Sequence, residues 1–311
     1  MKKAKIYFPL VALLYITFLS FFHMNEIMTL TLQTKNQVIN QLFPTLFPFM
    51  LIITICQKIG IIQLLGYLLQ FISIPFFNIS GNCLSIYLFS ILSGYPTNAK
   101  MIYNAFTLNQ ITKQESDLLV KCAHHSSFSF VVFFIGIQIF NSIKIGIILE
   151  ICHLLPTFLY LITCKKHKAT FQKWCTSWYT YSSNIYNHQL FNIIKNSLKE
   201  CLTAFIYIFG FMLICKISLI SLRHLFNENL LMHLAGYLEF SSGTIQLVQY
   251  QSQLIIQLLI ILSYISFGGV SVFLQVFQLL DTSAINFKIY LTFRIYHALL
   301  SVILLFIYLI Y

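Results

Sequence analysis

Apolar runs long enough to cross a lipid bilayer recur throughout this chain, and few charges interrupt them. Of the 311 residues, 58 % are hydrophobic and 9 % are charged, whereas a soluble domain carries about 25 % charged residues. A helix needs roughly 20 apolar residues to cross a hydrocarbon core about 30 Å thick. We therefore predict an all-α polytopic integral membrane protein with about eight to ten membrane-embedded helices, some of them broken or re-entrant.

The basic charge indicates membrane topology rather than a nucleic-acid partner. The formal charge is +11, but the basic residues are scattered between apolar runs and form no basic face with interleaved aromatic residues. The positive-inside rule predicts that regions rich in lysine are cytoplasmic. Two such regions occur: Lys2, Lys3 and Lys5 before the first apolar run, and Lys165, Lys166, Lys168 and Lys173 in a mid-chain loop.

The chain opens with a basic start and an apolar run, as a signal peptide does, but no small-residue cleavage site follows. We expect a retained first span with a cytoplasmic N-terminus. The predicted domains are an N-terminal transmembrane anchor and loop (1–36), a first membrane repeat (37–164), a basic cytoplasmic linker (165–190) and a second membrane repeat (191–311).

Short words recur in the same order in the two halves, and this order favours an internal duplication. Each pairing is weak alone, because short apolar words recur by chance in such a biased sequence. The sequence does not distinguish parallel from inverted repeats. The pairs are Phe49–Ile52 with Phe211–Ile214, Ser93-Gly94 with Ser242-Gly243, and Ser127-Phe128 with Ser266-Phe267.

The stretch LSGYPTNAK, residues 92–100, predicts a helix break inside an apolar region. Gly94 permits unusual backbone angles, Pro96 ends one helix and suits the first turn of the next, and Thr97 or Asn98 is expected to cap it. Lys100 then lies in that first turn. Broken helices at matching positions in two halves of a transporter indicate a binding site. The alternative is a solvent-exposed turn in which Lys100 extends to the membrane surface.

The second half has a matching break at YLEFSSG, which contains Glu239, Ser242 and Gly243. An acidic residue at the bilayer centre costs about 2.5 to 3.5 kcal/mol, so it faces the protein interior and marks a pathway or an ion pair. We consider that Lys100 and Glu239 pair across the repeats. The alternative places Glu239 at a water interface, because the preceding loop is polar.

A further break is expected at Gly268-Gly269, where Ser271 and Gln275 offer hydrogen bonds. Small residues in membrane helices also serve close packing, which is the alternative here. The counterpart in the first half contains His124, His125, Ser127 and Ser129.

No pattern indicates catalysis, a metal or a cofactor. Adjacent His124 and His125 point to different faces of a helix, and no metal-ligand spacing occurs. The eight cysteines are dispersed without a C-x-x-C pair. Glu150 and His153, at helical spacing, are candidates for a proton relay or for structural pairing. We therefore expect a protein that is not an enzyme.

Several of these motifs together resemble the sporulation integral membrane protein family of YlbJ type, whose members carry nucleoside-recognition or Gate domains. The resemblance covers nearly the whole chain. The residues that carry it are Leu42-Phe43-Pro44, Phe47-Pro48-Phe49, Ser93-Gly94-Tyr95-Pro96, Ala99-Lys100, Leu238-Glu239-Phe240, Ser242-Gly243, Phe267-Gly268-Gly269, Ser271-Val272 and Gln275. This chain departs from the family pattern at Asn98, His124, His125 and Phe273.

The resemblance implies a multi-pass protein of a bacterial cell membrane, with two Gate-like repeats and a role in spore cortex formation. Combined with the helix breaks, it predicts a transporter-like protein that moves or gates a small polar solute, with other sporulation membrane proteins as further partners. The alternatives are a scaffold for the spore envelope, or a general Gate-domain nucleoside or ion permease. The predicted binding or pathway residues are Ser93, Gly94, Pro96, Asn98, Lys100, Ser127, Glu239, Ser242, Gly243, Gly268, Gly269, Ser271 and Gln275.

Overall fold

All regular structure in the described part of the chain is helical, which confirms the predicted all-α membrane class. The computed structural model describes residues 14, 15, 17, 18, 21–163, 190–223, 225–279 and 287–310. The predicted basic N-terminus, nearly all of the linker 165–190, and Cys164 and Cys175 lie outside these residues. The domain boundaries and the cytoplasmic N-terminus therefore stay predictions.

The helices are interrupted at several points in each half of the chain. The α-helices of the described residues are α1 Met24–Gln37, α2 Phe43–Ile59, α3 Ile61–Ile72, α4 Gly81–Ser93, α5 Thr97–Thr107, α6 Lys113–Cys122, α7 Ile143–Thr163, α8 Leu190–Leu222, α9 Glu228–Leu238, α10 Phe240–Tyr250, α11 Leu254–Phe267, α12 Gly269–Leu279 and α13 Phe287–Ile310. Wider π-helical segments occur at Val38–Leu42, Ser73–Phe77 and Ser129–Ile139.

Within the described residues, 5 helices are long and apolar enough to cross a membrane, or 6 if the bent pair Ile61–Phe77 and Gly81–Ser93 is one span. The five are Met24–Ile59, Ile143–Thr163, Leu190–Leu222, Leu254–Phe277 and Lys288–Ile310. The other embedded helices are shorter. For example, α4 has only 13 residues, too few to cross as a helix.

The shorter helices form two hairpins. The first hairpin consists of α4 and α5, and the start of α4 lies beside the chain that follows α5, because Asn82 Nδ2 donates to Gln110 O at 3.1 Å. The second hairpin consists of α9 and α10, which pack on each other through Gly236 and Gly243. Each hairpin has its tip at a predicted break.

The segment after the first hairpin, which includes α6, has a polar and a buried apolar side. Thr112 caps α6 by accepting from the Glu115 N–H at 3.2 Å, and the Glu115 carboxylate accepts from the Thr112 N–H at 2.9 Å. This reciprocal pair satisfies amide groups that the helix itself leaves free. Ile111, Leu118 and Leu119 are buried.

The two long helices that open the halves run antiparallel. At one end of α8, Glu200 forms an ion pair with Lys58 at 2.7 Å, and at the other end Arg223 pairs with Glu26. The last helices of the halves are antiparallel too. Tyr160 packs on Phe293 near the end of α7 and the start of α13. The two pairs of helices therefore run in opposite directions, as the corresponding spans of an inverted repeat would.

Two apolar clusters hold this arrangement together, and large apolar side chains cover its outside. One cluster includes Met50 and Met212 from the long helices, and the other includes Tyr87 and Leu119 from the first hairpin and α6. Exposed apolar side chains on the spans, such as Ile206, suit contact with lipid.

Replacing Gly243 by alanine should disrupt the second hairpin. A Cβ atom at Gly243 would overlap the backbone of Gly236, whereas a Cβ at Gly210 meets nothing within 4 Å. Because the obstacle is backbone, we expect a loss of roughly 1 to 3 kcal/mol for Gly243→Ala and none for Gly210→Ala. Thermal unfolding of the two variants in detergent tests this, and equal melting temperatures would contradict it.

Candidate functional site

Four helix breaks meet inside the molecule. They are the first break, Gly94–Pro96; the second break, residues 123–128; the third break, Glu239; and the fourth break, Gly268-Gly269. A Cβ on Gly94 would overlap the backbone of Ser127, and a Cβ on Gly268 would lie 3.1 Å from the Tyr95 hydroxyl. Gly269 faces the backbone on either side of Glu239. Since Gly94, Gly268 and Gly269 all have positive φ angles, glycine is needed at each.

Arg294 on α13 ties the first break to the second. Its side chain is completely buried and donates to Lys121 O, His124 O and the Tyr95 hydroxyl, the last at 3.1 Å. Tyr95 in turn donates to His124 O at 2.9 Å. The sequence interpretation missed Arg294, although a cation inside an apolar run is a signal for an interior role.

Asn98 binds the second break through its side chain. Its amide Nδ2 donates to Ala123 O at 2.8 Å and to His125 O at 3.3 Å. The backbone amides of Asn98, Ala99 and Lys100 donate to Gly94 O, Asn98 Oδ1 and Pro96 O. The expected side-chain cap from Thr97 or Asn98 is therefore wrong, whereas the place of Asn98 in a solute site stays a prediction. The break is buried, which also excludes the solvent-exposed turn.

Glu239 caps α10 at the third break. Its carboxylate accepts from Ser241 N at 3.0 Å, Ser241 Oγ at 2.7 Å, Ser242 N at 2.7 Å and the Ser242 hydroxyl. A carboxylate suits a helix N-terminus because it accepts from free amides and faces the positive end of the dipole. With 2 % of its surface exposed, Glu239 is not at a water interface.

Lys100 pairs with Glu200 on α8 and not with Glu239. The Lys100 Nζ to Glu200 Oε2 distance is 2.7 Å, and Lys58 binds the other carboxylate oxygen at 2.7 Å. The predicted cross-repeat pair is therefore wrong. Lys100 still contacts the second half of the chain, through a carboxylate that the sequence interpretation did not single out.

A small cavity of about 40 Å³ lies where the four breaks meet, and we call it the central cavity. Its apolar walls include Leu42, Phe130 and Met212. The Ser126 and Ser271 hydroxyls are buried without a hydrogen-bond partner among the described residues. The polar lining consists of Tyr95, Ser126, Ser127, Glu239, Ser241, Ser271 and Gln275. Four predicted residues, Ser127, Glu239, Ser271 and Gln275, are thus brought together.

A larger cavity of about 190 Å³, the Lys100 cavity, lies beside the central one. Pro96, Lys100 and Glu200 line it, and so does Gln275. Gln275 is buried and lines both cavities.

A third cavity of about 190 Å³, the Lys216 cavity, lies further along α8. Lys216, Arg223 and Glu228 line it. The three cavities follow α8 in sequence order, since Glu200 lines the first, Met212 the central one and Lys216 the third. This helix has 33 residues and measures roughly 50 Å at about 1.5 Å per residue, which exceeds the hydrocarbon thickness of about 30 Å.

A polar bridge separates the central cavity from the Lys216 cavity. Lys216 Nζ donates to Gln37 Oε1 at 3.0 Å, and Gln37 Nε2 donates to Ser241 Oγ at 3.1 Å. Ser241 is bound to Glu239, so the bridge joins a buried cation to a buried carboxylate. The sequence interpretation did not identify Gln37 or Lys216, although Lys216 is another cation within an apolar run.

The remaining predicted site residues lie outside the cavity linings. Ser242 binds Glu239, Gly243 packs against Gly236, and Ser93 is buried beside the first break. Gly94, Asn98, Gly268 and Gly269 shape the breaks, as described above. No cluster of three or more His, Cys, Asp or Glu side chains within the described residues is arranged to hold a metal ion.

The histidines connect the breaks instead. His125 Nε2 lies 3.3 Å from Ser90 Oγ, and His153 bonds to Ser126 N and Ser266 Oγ. Glu150 forms no hydrogen bond with His153 or with any other described residue. The structural pairing of Glu150 with His153 that the sequence suggested is therefore not formed.

Comparison with known proteins supports a distant relationship. Over 125 residues the chain is 26% identical to "Sporulation integral membrane protein YlbJ" of Bacillus subtilis (strain 168), a match that covers 40% of this chain and 31% of the relative. No family model and no solved structure matches. The chain is thus distantly homologous to a sporulation integral membrane protein, and its helices agree with a multi-pass membrane protein.

Removing the Arg294 guanidinium should destabilise the meeting point of the breaks. Arg294→Met removes the charged donor from Lys121 O and from His124 O, the second of which keeps only the Tyr95 hydroxyl, and charged hydrogen bonds contribute about 1.5 to 3 kcal/mol each. We expect a loss of about 3 kcal/mol or more. Arg223→Met, at an arginine whose side chain is 53% exposed, is the matched control and should cost less than about 1 kcal/mol. Thermal unfolding in detergent tests this, and similar losses of stability in both variants would contradict the structural role of Arg294.

Proposed function

We propose that this protein moves or gates a small polar solute across the membrane during spore cortex formation. The observation that carries the proposal is the central cavity, where four helix breaks surround hydroxyl and amide groups. Irregular backbone at membrane depth is tolerated where it is buried in protein or lines a cavity. Broken helices in matching positions are how transporters build their binding sites.

The order of the three cavities supports a path along α8. It would run from the Lys100 cavity, past Gln275, through the central cavity, and past the Gln37 bridge into the Lys216 cavity. By the positive-inside rule, the linker that precedes α8 is cytoplasmic, so the Lys100 cavity would face the cytoplasm. The central cavity holds only a few water-sized molecules at about 40 Å³. A solute therefore passes only when the hairpin tips move apart.

The chemistry of the central cavity favours a neutral solute. Its carboxylate, Glu239, is saturated by the Ser241 and Ser242 donors. The groups left to bind a solute are the hydroxyls of Ser126 and Ser271 and the amide of Gln275. Such groups hydrogen-bond neutral hydroxyl or amide groups, and the apolar walls suit a solute with an apolar face.

The distant YlbJ relative supports two parts of the proposal, the relationship to the Gate-domain family and the role in sporulation. Two Gate-like repeats agree with the antiparallel order of α2 with α8 and of α7 with α13. The sporulation role is taken from the relative's name. We propose no catalytic activity, because no group in the cavities is arranged as a nucleophile with its base.

Gln275→Leu should close the passage between the Lys100 cavity and the central cavity to polar solutes. The matched control is Gln138→Leu, because Gln138 is exposed on the π-helix Ser129–Ile139. Stopped-flow light scattering of proteoliposomes would measure the uptake of urea, glycerol and ribose as probes. Wild type and Gln138→Leu should pass at least one probe faster than empty vesicles. Gln275→Leu should slow it about tenfold, as expected for one lost hydrogen bond. Uptake by the wild type no faster than by empty vesicles would count against transport of these probes.

A spore assay tests the biological role. A strain lacking the gene should form fewer heat-resistant spores, and the wild type and Gln138→Leu should restore the yield while Gln275→Leu does not, at equal membrane levels. Full rescue by Gln275→Leu, together with failure of the bulky change Gly268→Val, would favour a scaffold. A deletion without effect would remove the sporulation role.

A further inference from the structure

Glu150 is a buried carboxyl group that the proposed path does not use. It lies within the 21-residue span α7, with 4 % of its surface exposed. Neither of its oxygens has a hydrogen-bond partner among the described residues. The other deeply buried carboxylates, Glu115 and Glu239, each accept several hydrogen bonds. Glu150 therefore differs from them in lacking a structural partner.

No described cation compensates a charge on Glu150. Arg294 donates to backbone carbonyls and Tyr95, and Lys121 donates to Tyr160 at 3.3 Å. The π-helix Ser129–Ile139 and the segment Ser73–Phe77, which also pack on α7, contain no titratable residue. Several titratable groups contact this side of α7: Tyr87 on α4, which bonds to Thr157 and lies near Cys122 of α6; Lys121 on α6, which bonds to Tyr160; and His125 of the second break and His297 on α13, whose rings pack on His153.

His153 lies one helical turn beyond Glu150, on the same face of α7. Its Nε2 accepts from the Ser126 N–H at 3.2 Å, and its Nδ1 lies 2.8 Å from Ser266 Oγ. A backbone N–H only donates, so Nε2 carries a lone pair, His153 is neutral, and Nδ1–H donates to Ser266. His153 thereby joins the second break to the end of α11, directly before the fourth break.

We propose that Glu150 is the binding site for a proton that couples solute movement to proton movement, with His153 as the positioning residue that transmits its state to the breaks. This inference rests on the proposed transport function. A buried carboxyl without a partner is cheaper to bury neutral than charged, so Glu150 carries the proton in this structure. Intramembrane acidic residues of this kind serve proton pathways.

The coupling step is the release of the Glu150 proton. The carboxyl O–H bond breaks, water takes up the proton, and the carboxylate left behind needs a hydrogen-bond donor. The ring N–H of neutral His153, one turn along α7, becomes that donor, and turning the ring towards Glu150 breaks its bonds to Ser126 and Ser266. The second break thereby loses its contact with α7. Release of the proton opens the contact between the second break and α7, and return of the proton restores it.

Infrared spectroscopy of the full chain in lipid vesicles tests the proton site without any solute. At neutral pH the wild type should show a protonated-carboxyl C=O band that Glu150→Gln lacks. Asp117→Asn is the matched control, because Asp117 is half exposed and paired with Lys113 at 3.0 Å, and it should keep the band. Absence of the band in the wild type, or its persistence in Glu150→Gln, would overturn the proposal.

Hydrogen exchange with mass spectrometry tests the coupling. After correction for the intrinsic pH dependence of exchange, residues 123–128 of the wild type should exchange about tenfold faster at mildly alkaline than at mildly acidic pH, as expected when one hydrogen bond is lost. Glu150→Gln should remove this pH dependence, because an amide side chain does not ionise in this pH range. Asp117→Asn should behave like the wild type. The same pH dependence in wild type and Glu150→Gln would refute the coupling.

The two proposals fail separately. Loss of probe uptake with an intact carboxyl band and exchange pattern would leave the proton site standing and remove only the transport function for those probes. If the probes are taken up but the wild type shows no Glu150 carboxyl band, the transport proposal survives as a passive pathway and the proton site is refuted. If Glu150→Gln does not fold, its melting temperature reveals this, and Glu150→Asp, which retains a carboxyl group, should preserve the pH-dependent exchange.

Discussion

The whole arrangement depends on satisfying backbone polar groups where helices stop inside an apolar protein. Hydrocarbon offers no hydrogen bonds, so each unpaired amide or carbonyl at that depth costs several kcal/mol. This chain answers with polar side chains from elsewhere in the fold. Arg294 and Asn98 donate to the carbonyls of the second break, and the Glu239 carboxylate accepts from the amides of the third. The primary role of the polar side chains at the centre of the molecule is therefore to bond the free backbone groups at the breaks.

The same requirement shapes the path that we propose along α8. Charges that are paired or bridged stand at either end, with Glu200 between Lys58 and Lys100 at one end and Lys216 bridged towards Glu239 at the other. The centre is left with hydroxyl and amide groups. A charged solute would meet a centre without a free countercharge, whereas a neutral polar solute pays a smaller desolvation cost there.

Both halves of the chain contribute breaks to this centre. One hairpin and one interrupted helix from each half bring their breaks to the same point, and glycines allow the close approach. Gly94 lies against Ser127 within the first half, and Gly268 lies against Tyr95 across the halves. Relative movement of the halves would open one side of the central cavity or the other, which is the usual mechanism of alternating access in inverted repeats. His153 lies at the contact between the two sets of breaks.

Hydropathy and glycine act locally along the chain, so the sequence alone predicts the membrane class, the approximate places of the breaks and the need for glycine there. It also indicated Ser127, Glu239, Ser271 and Gln275, which the fold brings together. The partners of the charged and polar groups could not be predicted in this way. The sequence suggested that Lys100 pairs with Glu239, but Lys100 binds Glu200 and Glu239 caps its own hairpin. Ion pairs and hydrogen bonds between distant segments depend on which helix faces which, and that is decided by packing and by the antiparallel order of the halves.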